Sequence, residues 1–335
     1  MIRILVTVLV LISSASHSQQ VTKPAIMSAM APNKLLLDVT AVDNKFFIAV
    51  GERGHIIRGT SIESVEQMPV PVQTTLTGVV MVNEQVGWAV GHDSLILHTA
   101  DGGKSWQIQQ YLPSQQKPLM DVVFKNEKEG VAIGSYGLFY RTYDGGNTWE
   151  REYHVSLLSD EDKEYLDDLK QEDEQAYLDE RANILPHFNR IYLDGRTTYL
   201  VGELGLIAKS NDFGKTWQRF EEIYHGSFYD IIRTQQGNLL TVGLRGNVFR
   251  TLQNGMPWNN SKTGVTALLN DIILGGENII YIVGNNGVLL VSDDDGVTFK
   301  QRIQSDGKAI LAGVMFNNEL IVASEVGIKL IQVSK

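Results

Sequence analysis

The sequence of 335 residues lacks cysteine altogether and contains only 8 prolines, against 31 glycines. Without cysteine, a disulfide framework, thiolate metal ligands and a lipid-modified N-terminal cysteine are all excluded. Long hydrophobic stretches are scarce too, and the apolar run from Ile4 to Ile12 is too short to span a bilayer. The surplus of glycine over proline favours a fold with many tight turns.

The first residues have the pattern of a secretory signal. Arg3 supplies a positive charge, an apolar run follows, and Ser16-x-Ser18 provides a small-residue cleavage site. We expect residues 1–18 to be a signal peptide cleaved after Ser18. The mature chain is then expected to be a periplasmic or secreted protein without a lipid anchor, and an uncleaved N-terminal anchor is the alternative interpretation.

A strand–turn–strand unit recurs along nearly the whole chain, and its clearest copy runs from Gly134 to Trp149. A Gly-x-x-Gly turn leads into an apolar run and then into the box Thr-x-Asp-x-Gly-x-Thr-Trp. The aspartate of this box can accept hydrogen bonds from the amides of a tight turn, and the aromatic ring can cover it. A metal-binding or saccharide-binding box is the less favoured alternative. We predict a structural role for the residues of the four complete Asp boxes: Asp101, Trp106, Asp144, Trp149, Asp212, Trp217, Asp294 and Phe299.

The spacing of the Gly-x-x-Gly turns predicts how many units there are. Successive turns begin 40, 43, 68, 41, 41 and 40 residues apart, at Gly51, Gly91, Gly134, Gly202, Gly243, Gly284 and the equivalent Ser324. A period near 40 with several short strands per unit is typical of propeller blades. We therefore predict an all-β, seven-bladed β-propeller over residues 35–335, with three strands in its last blade. Because a ring must close, Ala25–Met30, within the N-terminal segment 19–34, is a candidate fourth strand for that blade.

A second set of positions marks the innermost strands. Thirteen residues before each turn stands one of Asp38, Gly78, Asp121, Asn189, Asp230 and Asp271, each opening an apolar run. Four of these six positions are aspartates, so acids are expected around the mouth of the channel. Because they recur at one equivalent place, their symmetry indicates a structural role rather than a catalytic pair.

The one long interval contains an acidic insertion, residues 155–184. Residues 160–180 carry eleven acids against Lys163 and Lys170, so the rest of the chain is close to neutral. Ser159 followed by Asp162 resembles a capping box, and we expect one or two exposed helices. A solvated decoration and an arm that binds a basic partner surface both remain open. A near-neutral propeller argues against nucleic acid as a partner.

Basic side chains recur four residues after the Gly-x-x-Gly turns in five of the seven units. These candidates for partner binding are Arg58, His98, Arg141, Lys209 and Arg250. One interpretation is a basic arc that docks an acidic or carboxylate-ended segment of a partner; the other is local packing against the neighbouring box. The histidines show no metal-ligand spacing, and we expect neither a metal nor a cofactor.

The Asp boxes, together with Gly-Trp-Ala-Val-Gly at 87–91 and Asp-Val-Val-Phe at 121–124, resemble the photosystem II assembly and stability factor family of seven-bladed propellers. The resemblance covers roughly residues 35–335. It implies a non-enzymatic chaperone, since such proteins bind a newly made reaction-centre subunit in photosynthetic organisms. It also implies a basic contact patch, whose matching positions here are Arg58, Arg141, Lys209 and Arg250. Similar propellers of non-photosynthetic Gram-negative bacteria are associated with export pumps of the resistance-nodulation-division kind.

Together these patterns predict a monomeric, non-enzymatic periplasmic scaffold or assembly factor for a membrane-associated protein complex. The alternative is a sialidase-like glycoside hydrolase or glycan-binding propeller, because sialidases carry the same box. Convergent carboxylates, tyrosine and arginine in a deep pocket would favour the enzyme.

Overall fold

The computed structural model describes residues 22–252 and 256–333, which form a ring of seven antiparallel sheets. Six of the sheets have four strands and the last has three within these residues. The predicted fold class is therefore confirmed. The signal peptide expected at residues 1–18 lies outside the described residues.

Each blade is a meander of consecutive strands, and the first four blades occupy residues 36–219. The first has β1 Leu36–Val42, β2 Phe46–Gly51, β3 Ile56–Ser61 and β4 Ser64–Gln67. The second has β5 Leu76–Met81, β6 Gly87–Gly91, β7 Leu95–Thr99 and β8 Gln107–Gln110. The third has β9 Leu119–Phe124, β10 Gly130–Gly134, β11 Phe139–Thr142 and β12 Glu150–Arg151. The fourth has β13 Phe188–Asp194, β14 Thr197–Gly202, β15 Ile207–Ser210 and β16 Gln218–Arg219.

The remaining three blades complete the ring. The fifth has β17 Phe228–Arg233, β18 Leu239–Gly243, β19 Val248–Thr251 and β20 Trp258–Ser261. The sixth has β21 Leu269–Leu274, β22 Ile280–Gly284, β23 Val288–Ser292 and β24 Lys300–Ile303. The seventh has β25 Ile310–Phe316, β26 Glu319–Ser324 and β27 Gly327–Ile331.

The core lies between neighbouring blades. The second strand of the third blade, Gly130–Gly134, is buried at every position, as its uninterrupted apolar run predicts for a strand covered on both faces. Between the second and third blades, Trp88 stacks on Phe124 with ring centroids 3.4 Å apart. Trp149 meets the same phenylalanine edge-on at 5.8 Å. Aromatic packing of this kind fills the wedge between two twisted sheets.

The meander gives the ring two distinct faces. The Gly-x-x-Gly turns, which join second to third strands, lie on one face together with the connections between blades; we call it the turn face. The Asp boxes, which join third to fourth strands, lie on the other with the turns between first and second strands; we call it the box face.

The N-terminal strap, residues 22–34, contains no strand. Its backbone instead follows the first blade, where the N–H of Ala25 donates to the carbonyl of Val70 at 2.9 Å. The side chain of Gln67 accepts from the N–H of Ser28 at 2.8 Å and donates to the carbonyl of Ile26 at 3.1 Å. The prediction that Ala25–Met30 forms the outer strand of the last blade is therefore wrong. This segment lies along the first blade instead, where the side chain of Gln67 hydrogen-bonds its backbone.

The strap nevertheless bridges the first and last blades. Its 3-10 turn, Ala31–Asn33, packs against the start of β27, where a Cβ on Gly327 would collide with the carbonyl of Pro32. Ala31 is fully buried in a cluster that includes Phe47 and Phe316, whose rings meet edge-on at 5.5 Å. Hydrophobic packing therefore closes the ring.

The acidic insertion folds as two helices, α1 Asp160–Glu172 and α2 Glu174–Arg181. As the capping pattern predicts, the side chain of Ser159 accepts a hydrogen bond from the N–H of Asp162 at 3.0 Å. We call residues 155–184 the acidic arm, and it leaves the propeller on the turn face. None of the helices in the described part of the chain is both long and apolar enough to cross a bilayer.

Candidate functional site

The Asp boxes are hydrogen-bonded turns. In the third blade, Oδ1 of Asp144 accepts from the N–H of Thr148 at 2.9 Å and Oδ2 accepts from its hydroxyl at 2.7 Å. The hydroxyl of Thr142 donates to Asp144 and accepts from the N–H of Gly146 at 2.8 Å. The boxes of Asp101, Asp212 and Asp294 repeat this pattern. All four carboxylates are therefore engaged in fixing their own turns.

These hydrogen bonds favour the ionised carboxylate. Burial by itself would raise the pKa of Asp212, but donors from Thr216 and Ser210 outweigh it and lower the pKa to about 2. For Asp144 the backbone N–H of Thr148 is the main cause of a lowered pKa. The box carboxylates are thus charged at neutral pH.

Three of the five recurring basic residues bind the Asp box of the next blade. Nε of Arg58 donates to the carbonyl of Gly102 at 2.9 Å, and Nη1 of Arg141 donates to the carbonyl of Phe213 at 2.8 Å. Arg250 donates to the carbonyl of Asp295 at 2.6 Å and pairs with its carboxylate. These arginines hold first to second, third to fourth and fifth to sixth blades together.

The basic arc considered from the sequence is therefore not displayed as a free surface. Arg141 is 1% exposed and also pairs with Glu152, whose carboxylate lies 2.6 Å from Nε. His98 packs against Trp88 with ring centroids 5.2 Å apart, and burial lowers its pKa. Nζ of Lys209 lies 5.6 Å from the ring centroid of Phe220. The structure favours the second interpretation, packing against neighbouring elements.

The central channel carries a ring of polar side chains from the innermost strands. Strand pairing places Asp38 opposite Val50 and Arg190 opposite Val201. Both valines directly precede the first glycine of a Gly-x-x-Gly turn, so Asp38 and Arg190 are equivalent. Arg190 thus occupies in the fourth blade the position that an aspartate occupies in four others. The equivalence predicted for Asn189 is off by one, because the turn after β13 is a residue shorter than the turn after β1.

Arg190 lies among all four aspartates. Its guanidinium nitrogens are 3.0 Å from Asp271, 3.3 Å from Asp230, 3.8 Å from Asp121 and 3.9 Å from Asp38. The other oxygen of each carboxylate accepts a hydrogen bond from a backbone N–H of the following blade. For Asp38 the donor is the N–H of Val79, at 2.8 Å. The equivalent bonds run from Ile191, Ile272 and Gly313 at 2.8–2.9 Å. One cation and four carboxylates therefore tie the blades together at the axis.

The electrostatics of this cluster follow from burial. Burial raises the pKa of Asp38 to about 6, against the lowering effect of Arg190. Burial likewise raises the pKa of Asp121, Asp230 and Asp271 above their usual range. The carboxylates in turn raise the pKa of Arg190 well above its ordinary value, although burial acts in the opposite direction. The cluster has more acids than one guanidinium can neutralise.

This geometry does not suit glycoside hydrolysis. A cavity of about 400 Å³ extends from Arg190 along the innermost strands toward the box face, past Thr40 and Leu274. A glycosidase needs two carboxylates facing its substrate, whereas these four face Arg190 and backbone amides. Within residues 22–252 and 256–333, no group of three or more acidic or histidine side chains is placed to hold a metal ion.

The turn face carries two exposed apolar side chains in neighbouring blades. Leu204 is 54% exposed and Tyr136 is 43% exposed, both in Gly-x-x-Gly turns with positive φ values of 53° and 52°. Nearby, Tyr136 contacts His187 edge-on at 4.6 Å and Lys117 lies 4.9 Å from its ring centroid. These side chains are available to pack against a partner on this face.

The acidic arm is fixed to this face at its base. Leu157, Leu158, Leu166 and Leu185 are buried in the core cluster of the third and fourth blades. Nζ of Lys117 donates to the carbonyl of Ala182 at 2.9 Å, and Arg219 donates to the carbonyl of Leu157 at 3.0 Å. The base of the arm is therefore packed against the propeller.

Comparison with known proteins places the chain near one family. A family model described as photosynthesis system II assembly factor YCF48 matches residues 57–152 and 108–221. The photosystem II assembly lipoprotein Ycf48 of Picosynechococcus sp. is 30% identical over 108 residues, which is 32% of this chain and only 32% of that protein.

Solved structures share the fold at low identity. A structure titled YCF48 bound to D1 peptide has a TM-score of 0.69 at 18% identity, covering 93% of this chain and 97% of that one. YCF48 from Cyanidioschyzon merolae has a TM-score of 0.67 at 14% identity, covering 89% and 95%. The WD40 propeller domain of Doa1 reaches 0.67 at 12% identity over 94% and 97%, so the fold by itself does not select a function. The chain is thus a seven-bladed β-propeller in fold, and over residues 57–221 its sequence is similar to the photosynthesis system II assembly factor YCF48 family.

Proposed function

We propose that this chain is a non-enzymatic assembly factor that binds a segment of a membrane-associated protein and holds it while a complex forms. The match to the family model over residues 57–221 carries the proposal. A relative's structure is titled as bound to a D1 peptide, which supports a polypeptide ligand for this chain as well.

The distribution of charged groups agrees with binding rather than catalysis. The carboxylates of the channel are occupied by Arg190 and by backbone amides. The carboxylates of the Asp boxes are occupied by their own turns. Because both sets already accept hydrogen bonds from the protein itself, their arrangement favours a structural role over acid–base catalysis.

We place the binding surface on the turn face. Leu204 and Tyr136 are exposed there, and the acidic arm rises beside them from a buried base. An extended segment can pack its apolar side chains on the first two while basic residues meet the arm. The signal-like sequence at residues 1–18 supports a periplasmic location for this function. In that compartment, we propose a membrane exporter as the partner.

The test is a pull-down from detergent-solubilised membranes with the chain lacking residues 1–18. Leu204→Asp with Tyr136→Asp alters the turn face. Val297→Asp with Tyr143→Asp is the matched control, because these side chains are 52% and 51% exposed on the box face. We expect a membrane protein to co-purify with the natural chain and with the control, and to be lost from the turn-face variant.

A second variant replaces residues 160–181 by a short flexible linker and should weaken capture without abolishing it. Circular dichroism and thermal unfolding show whether each variant is folded. Equal capture by the turn-face and box-face variants would contradict the assigned surface. Absence of any membrane partner, together with hydrolysis of a glycoside by the purified chain, would overturn the proposal itself.

A further inference from the structure

A cavity of about 390 Å³ lies on the turn face between the N-terminal strap and the first blade. We call it the strap pocket; Ile26, Ser28, Lys34, Arg53, His55 and Gln73 line it. We propose that the strap pocket binds a carboxylate group of a polypeptide, with the apolar residues beside that carboxylate packed on the strap. The polypeptide nature of this ligand rests on the proposed function.

The walls of the strap pocket are held in place by hydrogen bonds. Gln67 fixes the backbone of Ile26 and Ser28, and Nε2 of Gln73 donates to the carbonyl of Pro24 at 2.9 Å. On the opposite wall, a Cβ on Gly54 would collide with the carbonyl of Val72, so only glycine permits this turn to approach so closely. A pocket with fixed walls loses little conformational entropy when a ligand enters.

The strap pocket contains a buried polar group with no partner. His55 is 6% exposed, and its Nδ1 has no hydrogen-bond partner within the described residues. Buried polar atoms in proteins are normally hydrogen-bonded, and an orphaned one is unfavourable. His55 also lines the cavity, so its ring is a hydrogen-bonding group within the walls that a ligand would meet. Burial lowers the pKa of His55, so the neutral ring would act as a hydrogen-bond donor.

The charge of the strap pocket favours an anion. Lys34 and Arg53 bring two cations to its rim, and Glu52 brings one carboxylate. Neither Lys34 nor Arg53 forms an ion pair with another part of the described chain, so both are available to a ligand carboxylate. Arginine and lysine beside a hydrogen-bond donor are the groups that recognise carboxylates.

The surface next to the strap pocket favours a polypeptide over a small anion. Ile26 is 69% exposed, Met27 is 55% exposed and Met30 is 56% exposed along the strap. A free metabolite carboxylate would leave these side chains in water, whereas the residues that flank a carboxylate in a peptide can cover them. The carboxylate can belong to a chain terminus or to an Asp or Glu side chain.

The experiment measures fluorescence polarisation with three labelled octapeptides of one leucine- and alanine-rich sequence. The first has a free C-terminal carboxylate, the second a C-terminal amide, and the third the amide with a glutamate at the penultimate position. The chain used lacks residues 1–18. We expect the amide without glutamate to bind at least about tenfold more weakly than the best carboxylate peptide, as for the loss of one charge-assisted hydrogen bond.

The variants Lys34→Gln and Arg53→Gln should each weaken the best peptide by about tenfold. Arg245→Gln is the matched control, because Arg245 occupies the equivalent turn position of the fifth blade with φ 58° against 55° for Arg53. A change in the side-chain ¹⁵N resonances of His55 on addition of peptide locates the ligand in the pocket. Unchanged melting temperatures establish that the variants are folded.

The outcomes separate this proposal from the proposed function. Stronger binding of the free-terminus peptide assigns a chain end as ligand, and stronger binding of the glutamate peptide assigns a side chain; either supports the proposal. Equal affinity for all three peptides, or equal loss in Arg245→Gln, overturns it. Unchanged peptide affinity of the Lys34 and Arg53 variants also overturns it, and capture of a membrane partner by the natural chain then leaves the assembly function standing. Carboxylate-dependent peptide binding that Lys34→Gln and Arg53→Gln weaken, without capture of any membrane partner, supports the strap pocket and contradicts the assembly function.

Discussion

Replacing Arg190 by methionine should destabilise the propeller in a pH-dependent way. Arg190 is the guanidinium that four channel aspartates share, at distances of 3.0–3.9 Å. Methionine keeps much of the volume and removes the charge. Because removing one partner of a buried ionic cluster leaves uncompensated charge, we expect a loss of about 3 kcal/mol in the free energy of unfolding at pH 8.

The sign of the pH dependence follows from the raised pKa values. A carboxyl whose pKa is about 6 when folded, as for Asp38, and 3.8 ordinarily binds more protons in the folded state. Its contribution to stability is complete below pH 4 and is lost as the pH rises through 6. Removing Arg190 raises these pKa values further, so the variant holds at least one more proton when folded. It should then lose about 1.4 kcal/mol per pH unit relative to the natural chain between pH 6 and 8.

Urea unfolding of both chains at pH 6, 7 and 8 measures this difference. We expect a loss of about 3 kcal/mol at pH 8 to shrink to about 1 kcal/mol or less at pH 6. Adding Asp230→Asn should restore part of the loss, because asparagine keeps the acceptor for the N–H of Ile272 and removes one charge. Arg233→Met is the surface control, since Arg233 pairs with Asp194 at 30% and 26% exposure and should cost about 1 kcal/mol or less. A loss of the same size at every pH would refute the electrostatic explanation.

Three further predictions concern the blade contacts and the arm. Asp212→Ala removes the acceptor of three hydrogen bonds in its box and should cost about 1–3 kcal/mol of unfolding free energy in urea. A cost near zero would show that the turn does not need its carboxylate. Arg141→Met should lower the free energy of unfolding by about 3 kcal/mol, because the side chain is 1% exposed and paired with Glu152. Lys209→Met, at the equivalent position of the next blade, should lower it by less than about 1 kcal/mol. Equal losses would contradict the packing described. Leu166→Asp should detach the acidic arm, because a carboxylate replaces a buried leucine, and trypsin should then cleave the arm at least about tenfold faster. Leu178→Asp is the control and should leave the rate unchanged, because Leu178 is 47% exposed on the second helix.

The repeat was enough to predict the fold because each copy encodes one sheet. A Gly-x-x-Gly turn, an apolar run and an Asp box specify two strands and the turns around them, and a period near 40 counts the blades. The acidic arm could be predicted from local sequence as well, because Ser159 caps the first helix and high charge with only a thin apolar stripe indicates exposure. Such features depend on neighbours in sequence, which a single chain displays directly.

The positions of the functional side chains could not be predicted in the same way, because they depend on how strands of different blades pack together. Arg190 left a signal in the sequence, since the corresponding residue of four other blades is an aspartate, but a turn shortened by one residue moved it out of the fixed register. The five basic residues recurred at one position, yet only the packed blades show that the box carbonyls of the next blade occupy three of them.

By itself, then, the sequence determined the number of blades, the box turns and the helical arm, because local hydrogen bonds and a repeating apolar pattern specify each of them. Only the tertiary structure decided the path of the N-terminal strap, the grouping of four aspartates around Arg190 and the assembly of Lys34, Arg53 and His55 in one pocket. The physical reason is that these arrangements join residues far apart in the chain, and their free energy depends on burial and distances that exist only once the ring has closed.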